Sequence, residues 1–89
     1  MYKNKNILIT GASGGLGRTL AMAYAKNGGK IINLSRDLSK MEDLNNNLNR
    51  INSLKNKFYK VDISDYCQIS NVKNELLREN TIPDIIINN

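Results

Sequence analysis

A chain of 89 residues with 40% apolar and 24% charged side chains has the make-up of an ordinary globular protein, with room for one small domain or a piece of one. Lys and Arg outnumber Asp and Glu by 13 to 8, but the basic residues are scattered. Only Lys55, Lys57 and Lys60 approach a cluster, and they lack the interleaved aromatics that stack bases, so nucleic acid is not an expected partner. With Cys67 as the single cysteine and no histidine, an internal disulfide, a four-thiolate zinc site and the commonest general base are all excluded.

The chain opens on a basic flank and only three consecutive apolar residues, Ile7-Leu8-Ile9. That is too short for a secretory signal, and no run of about 18 apolar residues follows, so neither export nor a membrane span is expected and the cytoplasm is the default address. Asn, Lys and Ile are abundant throughout, but apolar periodicity persists through them, which speaks against an Asn-rich disordered segment.

Ile7-Leu8-Ile9 is the first of four short β-prone runs. The others are Ile31-Ile32-Asn33-Leu34, Phe58-Tyr59-Lys60-Val61 and Ile85-Ile86-Ile87. Apolar residues on consecutive positions suit strands covered on both faces, as in parallel sheets. Helical spacing lies between them. Leu16, Leu20, Ala23 and Tyr24 are predicted to share one face, with Gly28-Gly29 as the stop. Leu38, Met41, Leu44, Leu48 and Ile51 form a second stripe, with Ser39 and Glu42 spaced as a capping box. Ile69, Val72 and Leu76 form a third, after the candidate caps Ser64 and Asp65, and Pro83 is predicted to close that helix. The expected order is β-α-β-α-β-α-β, an α/β fold with a doubly wound parallel sheet, Rossmann-like, carried to its fourth strand.

The chemistry concentrates between the first strand and first helix, in Thr10-Gly11-Ala12-Ser13-Gly14-Gly15-Leu16-Gly17-Arg18. A strand that turns sharply into a helix with four glycines in seven residues leaves room for a pyrophosphate to approach the backbone, where free N–H groups at the helix start can hold it. Two other phosphate motifs fit poorly. The pattern G-x-G-x-x-G fails at Leu20, and in a Walker A alignment Ala12 replaces the first glycine and Arg18 the lysine.

The loop is similar to the T-G-x-x-x-G-x-G turn of the short-chain dehydrogenase/reductases, with Thr10, Gly11, Gly15 and Gly17 in the matching positions. The resemblance runs along the whole chain. Val61-Asp62-Ile63-Ser64-Asp65 resembles the family segment after the third strand, which implies adenine contacts from Asp62 and from the backbone of Ile63. Ile87-Asn88-Asn89 resembles the opening of its N-N-A-G segment, which implies that Asn89 lies along the cofactor. From the loop, the resemblance implies Gly11, Ser13, Gly14, Gly15, Leu16 and Gly17 as cofactor-binding residues. The extended branch of the family, with sugar-nucleotide epimerases and dehydratases, uses T-G-x-x-G-x-x-G. Gly11, Gly14 and Gly17 satisfy that spacing too, but Asn88-Asn89 is more similar to the single-domain branch.

In such folds an acidic residue at the end of the second strand binds a ribose 2′-hydroxyl, whereas a nearby Arg accommodates a 2′-phosphate. By alignment with the family, Ser35 takes the acidic position and Arg36 follows it, which implies NADP in preference to NAD. Asp37 is the counter-candidate and is read as the cap of the second helix. The second basic residue that some NADP-binding members carry in the loop is missing, since Gly14 stands there. Arg18 is read as solvated.

The resemblance implies an oxidoreductase moving hydride between NADP(H) and a small carbonyl or alcohol substrate, homo-oligomeric at full length. The family's catalytic Ser, Tyr-x-x-x-Lys pair and helical Asn follow the fourth strand. Residues 1–89 are thus expected to be the N-terminal part of one nucleotide-binding domain in a protein about three times longer, with no catalytic residue of its own. Tyr24-Ala25-Lys26 and Tyr59-Lys60 have the wrong spacing for the pair, and Tyr66 and Cys67 read as ordinary helix-start residues. A non-catalytic dinucleotide-binding module, or an extended-branch epimerase or dehydratase, is the alternative.

Overall fold

The computed structural model describes residues 2–12, 14–52 and 56–89, so Ser13 of the glycine turn and Lys55 of the basic group lie outside the described residues. The elements follow as β1 (Asn6–Thr10), α1 (Gly15–Lys26), β2 (Lys30–Ser35), α2 (Leu38–Ile51), β3 (Lys57–Lys60), α3 (Tyr66–Arg78) and β4 (Ile85–Ile87). All pairings are parallel, in the order β3-β2-β1-β4. The predicted Rossmann-like alternation is the one observed.

Register explains why the inner strands are apolar on consecutive residues. Ile7 pairs with Ile31 and Leu8 with Ile32, and successive side chains point to opposite faces. Ile7, Ile9 and Ile31 therefore join a core with Ala21 and Ala25 of α1 and Leu44 and Leu48 of α2. Leu8, Ile32 and Leu34 join a second core with Val72 and Leu76 of α3. Right-handed crossovers require this division. The chain steps from β1 to β2 to β3 in one direction and then reverses past β1 to β4, so α3 must lie on the face opposite α1 and α2. The two outer strands differ from the expectation of cover on both faces. β3 is half-buried, and in β4 Ile86, opposite Leu8 on the α3 side, is 64% exposed.

Three helix expectations need correction. The buried stripe of α1 is Gly17, Ala21 and Ala25, four residues apart, while Leu16 and Ala23 are exposed and Leu20 and Tyr24 pack only at the core margin. Large apolar residues suggested one face, but a helix leaving a tight turn against a sheet can settle closely only on its smallest side chains. The Ser39–Glu42 capping box does not form, because Ser39 is already inside α2. Asp37 is the cap, as read from the sequence, and its Oδ1 accepts from Lys40 N–H at 3.1 Å. In α3 the cap is Asp65, accepting from Cys67 N–H at 2.9 Å and Gln68 N–H at 3.3 Å; Ser64 is not the cap. Pro83 does not end that helix. Asn80, at φ 54°, turns the chain first, so that Asn80 N–H reaches Leu77 O and Thr81 N–H reaches Leu76 O. α1 ends at Gly28-Gly29 by the same hydrogen-bond pattern, as expected.

The small-residue stripe gives a stability test. Ala21→Leu forces extra volume between α1 and the sheet and should destabilise by about 1–3 kcal/mol, whereas Ala23→Leu on the exposed side should stay within about 0.5 kcal/mol. Denaturant unfolding of the two variants reads the difference; equal costs would contradict the observed face.

Candidate functional site

The strand order reverses between β1 and β4, and in open α/β sheets ligands bind at the carboxyl ends of the strands near that reversal. The glycine-rich turn sits there, held from the β2 side. Gly11 N–H donates to Leu34 O at 2.8 Å, and Ala12 N–H donates to the buried Asn33 Oδ1 at 3.1 Å. From β4, Asn89 N–H donates to Thr10 Oγ1 at 3.0 Å and Asn89 Nδ2 to Gly11 O at 3.2 Å.

The backbone separates the two glycine spacings. Gly15 has φ 57°, in the left-handed region, whereas Gly14 is extended (φ −146°) with nothing within 4 Å of an added Cβ. The turn thus requires glycine at 15 and not at 14, which fits T-G-x-x-x-G-x-G and not the extended-branch spacing. At Gly17 a Cβ would collide with Asn89 Nδ2 and with the backbone oxygen of Gly11. Leu16 is 67% exposed beside the turn. Arg18, read from the sequence as solvated, is only partly so: its guanidinium pairs with Asp43 of α2 at 3.0 Å.

Adjoining the turn is an open cleft of about 540 Å³ across the ends of β1, β2 and β3, within the size range of small-molecule sites. Of the expected site residues it gathers Gly11, Ser35, Arg36, Asp62, Ile63 and Asn89. Gly14, Gly15, Leu16 and Gly17 belong to the adjacent turn and do not line it, and Ser13 lies outside the described residues. The apolar groove beside α3 is a separate feature, lined by Leu8, Val72, Leu76 and Pro83 among others.

The cleft also holds Lys40, from the first turn of α2, which sequence reasoning did not single out. Thr10 and Ser64, named there for the loop motif and as a candidate cap, line its wall. Asn33 stands behind the site. Its signal was present as the one polar residue in an otherwise apolar β2 run, which is costly to bury unless it has hydrogen-bond work to do. Asp62 is organised by Ser64, whose hydroxyl donates to Oδ1 at 2.7 Å and whose N–H donates to the same oxygen at 2.9 Å. These bonds, the hydroxyl first, hold the Asp62 carboxyl below the usual aspartate range, and the charge of Arg36 adds to the effect. Asp62 N–H donates to Gln68 Oε1 at 2.8 Å, which anchors the segment to α3.

A parallel sheet of this order, with a glycine turn at the carboxyl end of its first strand, defines a Rossmann-type α/β protein. Within that class the assignment is specific: the short chain dehydrogenase family model matches residues 5–89, and the chain belongs to that family. It is 32% identical over 85 residues to an NADPH-dependent pterin aldehyde reductase of Arabidopsis thaliana, covering 96% of this chain and 34% of that protein. It is 34% identical over 89 residues to an oxidoreductase of Mycobacterium tuberculosis, covering 98% of this chain and 26% of the relative. Among solved structures, a short chain dehydrogenase from Shigella flexneri complexed with NADP superposes with a TM-score of 0.89 at 25% identity, covering 98% of this chain and 37% of that one. The chain therefore spans about a third of the length of the relatives it matches. No helix among the described residues is long and apolar enough to cross a membrane.

Two outcomes check this geometry. Asn33→Ala leaves the Ala12 N–H buried without its acceptor and should cost about 1–3 kcal/mol of stability; a loss under about 0.5 kcal/mol in denaturant unfolding would show that the turn does not depend on it. Because its pKa is depressed on folding, Asp62 contributes stability that is present above the ordinary aspartate pKa and is lost as pH falls through the lowered one. Ser64→Ala should move the Asp62 midpoint up towards the ordinary value in a carboxyl NMR titration, and an unmoved midpoint would mean that the Ser64 hydroxyl is not its main partner.

Proposed function

We propose that this chain is the cofactor-binding part of a longer oxidoreductase that moves hydride between NADP(H) and a carbonyl or alcohol substrate. The observation that carries the reading is Ser35-Arg36 at the carboxyl end of β2, in one cleft with Asp62 and Ile63 and beside the glycine turn. Asp37, the acidic residue that follows Arg36, serves as the cap of α2, its Oδ1 accepting from Lys40 N–H, so the guanidinium of Arg36 is the charged group at that strand end that suits a 2′-phosphate. The relatives lend support: one is named for its dependence on NADPH, and another was solved with NADP.

The turn suits a dinucleotide because Gly14 and Gly15 face open space, while Gly17 lets α1 seat against Gly11 and Asn89. On this reading the backbone of Gly11, Ser13, Gly14, Gly15, Leu16 and Gly17 receives the pyrophosphate at the start of α1. Asp62 and the Ile63 backbone receive the adenine, and Asn89, tied to Thr10 and Gly11, lies along the cofactor. The bound nicotinamide supplies the hydride chemistry, and the residues of this chain bind and orient it. The catalytic Ser and Tyr-x-x-x-Lys, the substrate pocket and homo-oligomer formation belong to the remainder of the longer protein.

Arg36→Ala in the full-length protein should weaken NADPH binding by about 1.5–3 kcal/mol, the range for bonds to charged groups, and leave NADH binding nearly unchanged. Fluorescence titration with both cofactors measures it. Equal losses for the two, or a wild-type protein that prefers NADH, would reject the assignment.

A further inference from the structure

We propose that Lys40, on the first turn of α2, is the second phosphate-binding cation of the cleft and that, with Arg36, it sets the preference for NADP(H) over NAD(H). The inference rests on the NADP(H) reading above and extends it to a residue and an element outside the glycine turn.

A 2′-phosphate is a dianion or close to it near neutral pH. A single exposed guanidinium holds such a group weakly, because water screens the attraction and the long side chain loses freedom on ordering. Two cations converging from different backbone positions hold it better and leave an uncharged ribose hydroxyl indifferent to the second. In the glycine turn the position that could carry a second base is Gly14, and nothing there is charged.

The fold brings the second cation from elsewhere. After Arg36 the chain turns at Asp37, whose Oδ1 accepts from Lys40 N–H at 3.1 Å. This bond brings the first turn of α2 back against the segment that carries Arg36, and Lys40 lines the same cleft as Ser35 and Arg36. The ion pairs formed among the described residues are Arg18–Asp43, Lys57–Glu79 and Arg78–Glu75, so neither Arg36 nor Lys40 is held in one. The two carboxylates in the cleft are engaged locally, Asp37 with the Lys40 N–H and Asp62 with Ser64. The charge of Arg36 is felt at Asp62, but neither cationic end is closed off by an ion pair among the described residues. Arg18, the nearest basic residue on α1, is tied across to Asp43 of α2.

The test is calorimetric titration of the full-length protein and its Lys40→Gln and Lys40→Arg variants with NADPH, NADH, adenosine 2′,5′-bisphosphate and 5′-AMP. Lys40 is exposed and outside both cores, and circular dichroism checks that each variant is folded. Lys40→Gln should weaken NADPH and the bisphosphate roughly three- to tenfold, as expected for a solvent-screened charge contact. It should leave NADH and 5′-AMP unchanged and flatten the salt dependence of NADPH binding, and Lys40→Arg should restore most of the loss. If the wild type prefers NADPH but Lys40→Gln binds it undiminished, or loses NADPH and NADH alike, the role of Lys40 is overturned while the cofactor reading stands. If the wild type prefers NADH or binds neither cofactor, the reading beneath the proposal fails and the proposal with it.

Discussion

The glycine turn can stay open to a ligand only because it is held from beneath by β2. A loop without side chains over much of its length cannot pack itself, so its shape must come from its neighbours. Two donors at its start, Gly11 N–H and Ala12 N–H, are fixed by Leu34 O and by the buried Asn33 Oδ1. From the other side β4 presents Asn89 to Thr10 and Gly11. The parallel register of β1 between β2 and β4 is what brings both clamps to the same end of the sheet. Without it the glycines would be a flexible linker.

The same register divides the apolar residues between two cores. Consecutive isoleucines and leucines in β1 and β2 serve opposite faces, one under α1 and α2 and the other under α3. The buried residues by which α1 meets its face are Gly17, Ala21 and Ala25, with Leu20 and Tyr24 at the margin. That close seating has a functional consequence, because it sets the first turn of α1 directly beside the glycine turn and Asn89, where a side chain at position 17 has no room. Packing of the helix and openness of the site are one constraint seen from two sides.

Electrostatics in the cleft follow from how its carboxylates are engaged. Asp37 and Asp62 would cancel Arg36 and Lys40 if they faced them as ion pairs. Each instead accepts from nearby backbone, Asp37 as a helix cap and Asp62 within its turn with Ser64. Local hydrogen bonding thereby keeps both carboxylates out of ion pairs with Arg36 and Lys40, although Asp62 still feels the charge of Arg36.

Much of this was legible in the sequence. The alternation of strands and helices follows from the switching apolar period, and the position of the glycine turn from four glycines between a strand and a helix. Ser35 and Arg36 are placed by the resemblance to the short-chain dehydrogenases, whose alignment puts Ser35 at the acidic position that ends β2. Other features depend on which backbone segments meet. Apolar spacing suggested Leu16 and Ala23 for the inner face of α1, but closeness to the sheet selected the smallest residues. Either Gly14 or Gly15 satisfied a motif, and only the backbone angle at Gly15 tells them apart. Asp37 and Asp65 cap their helices as the sequence allowed, but the competing signals Ser39, Ser64 and Pro83 have the right chemistry too, and Asn80, which turns the chain after α3, carried no signal that sequence reasoning singled out. Lys40 is one basic residue among many until the turn at Asp37 brings it to the cleft. The sequence by itself determined the order of the elements and the place of the turn, because periodicity and glycine content are local. Only the tertiary structure decided which face of α1 is buried, which glycine is required and which cations share the site, because those depend on contacts between residues far apart along the chain.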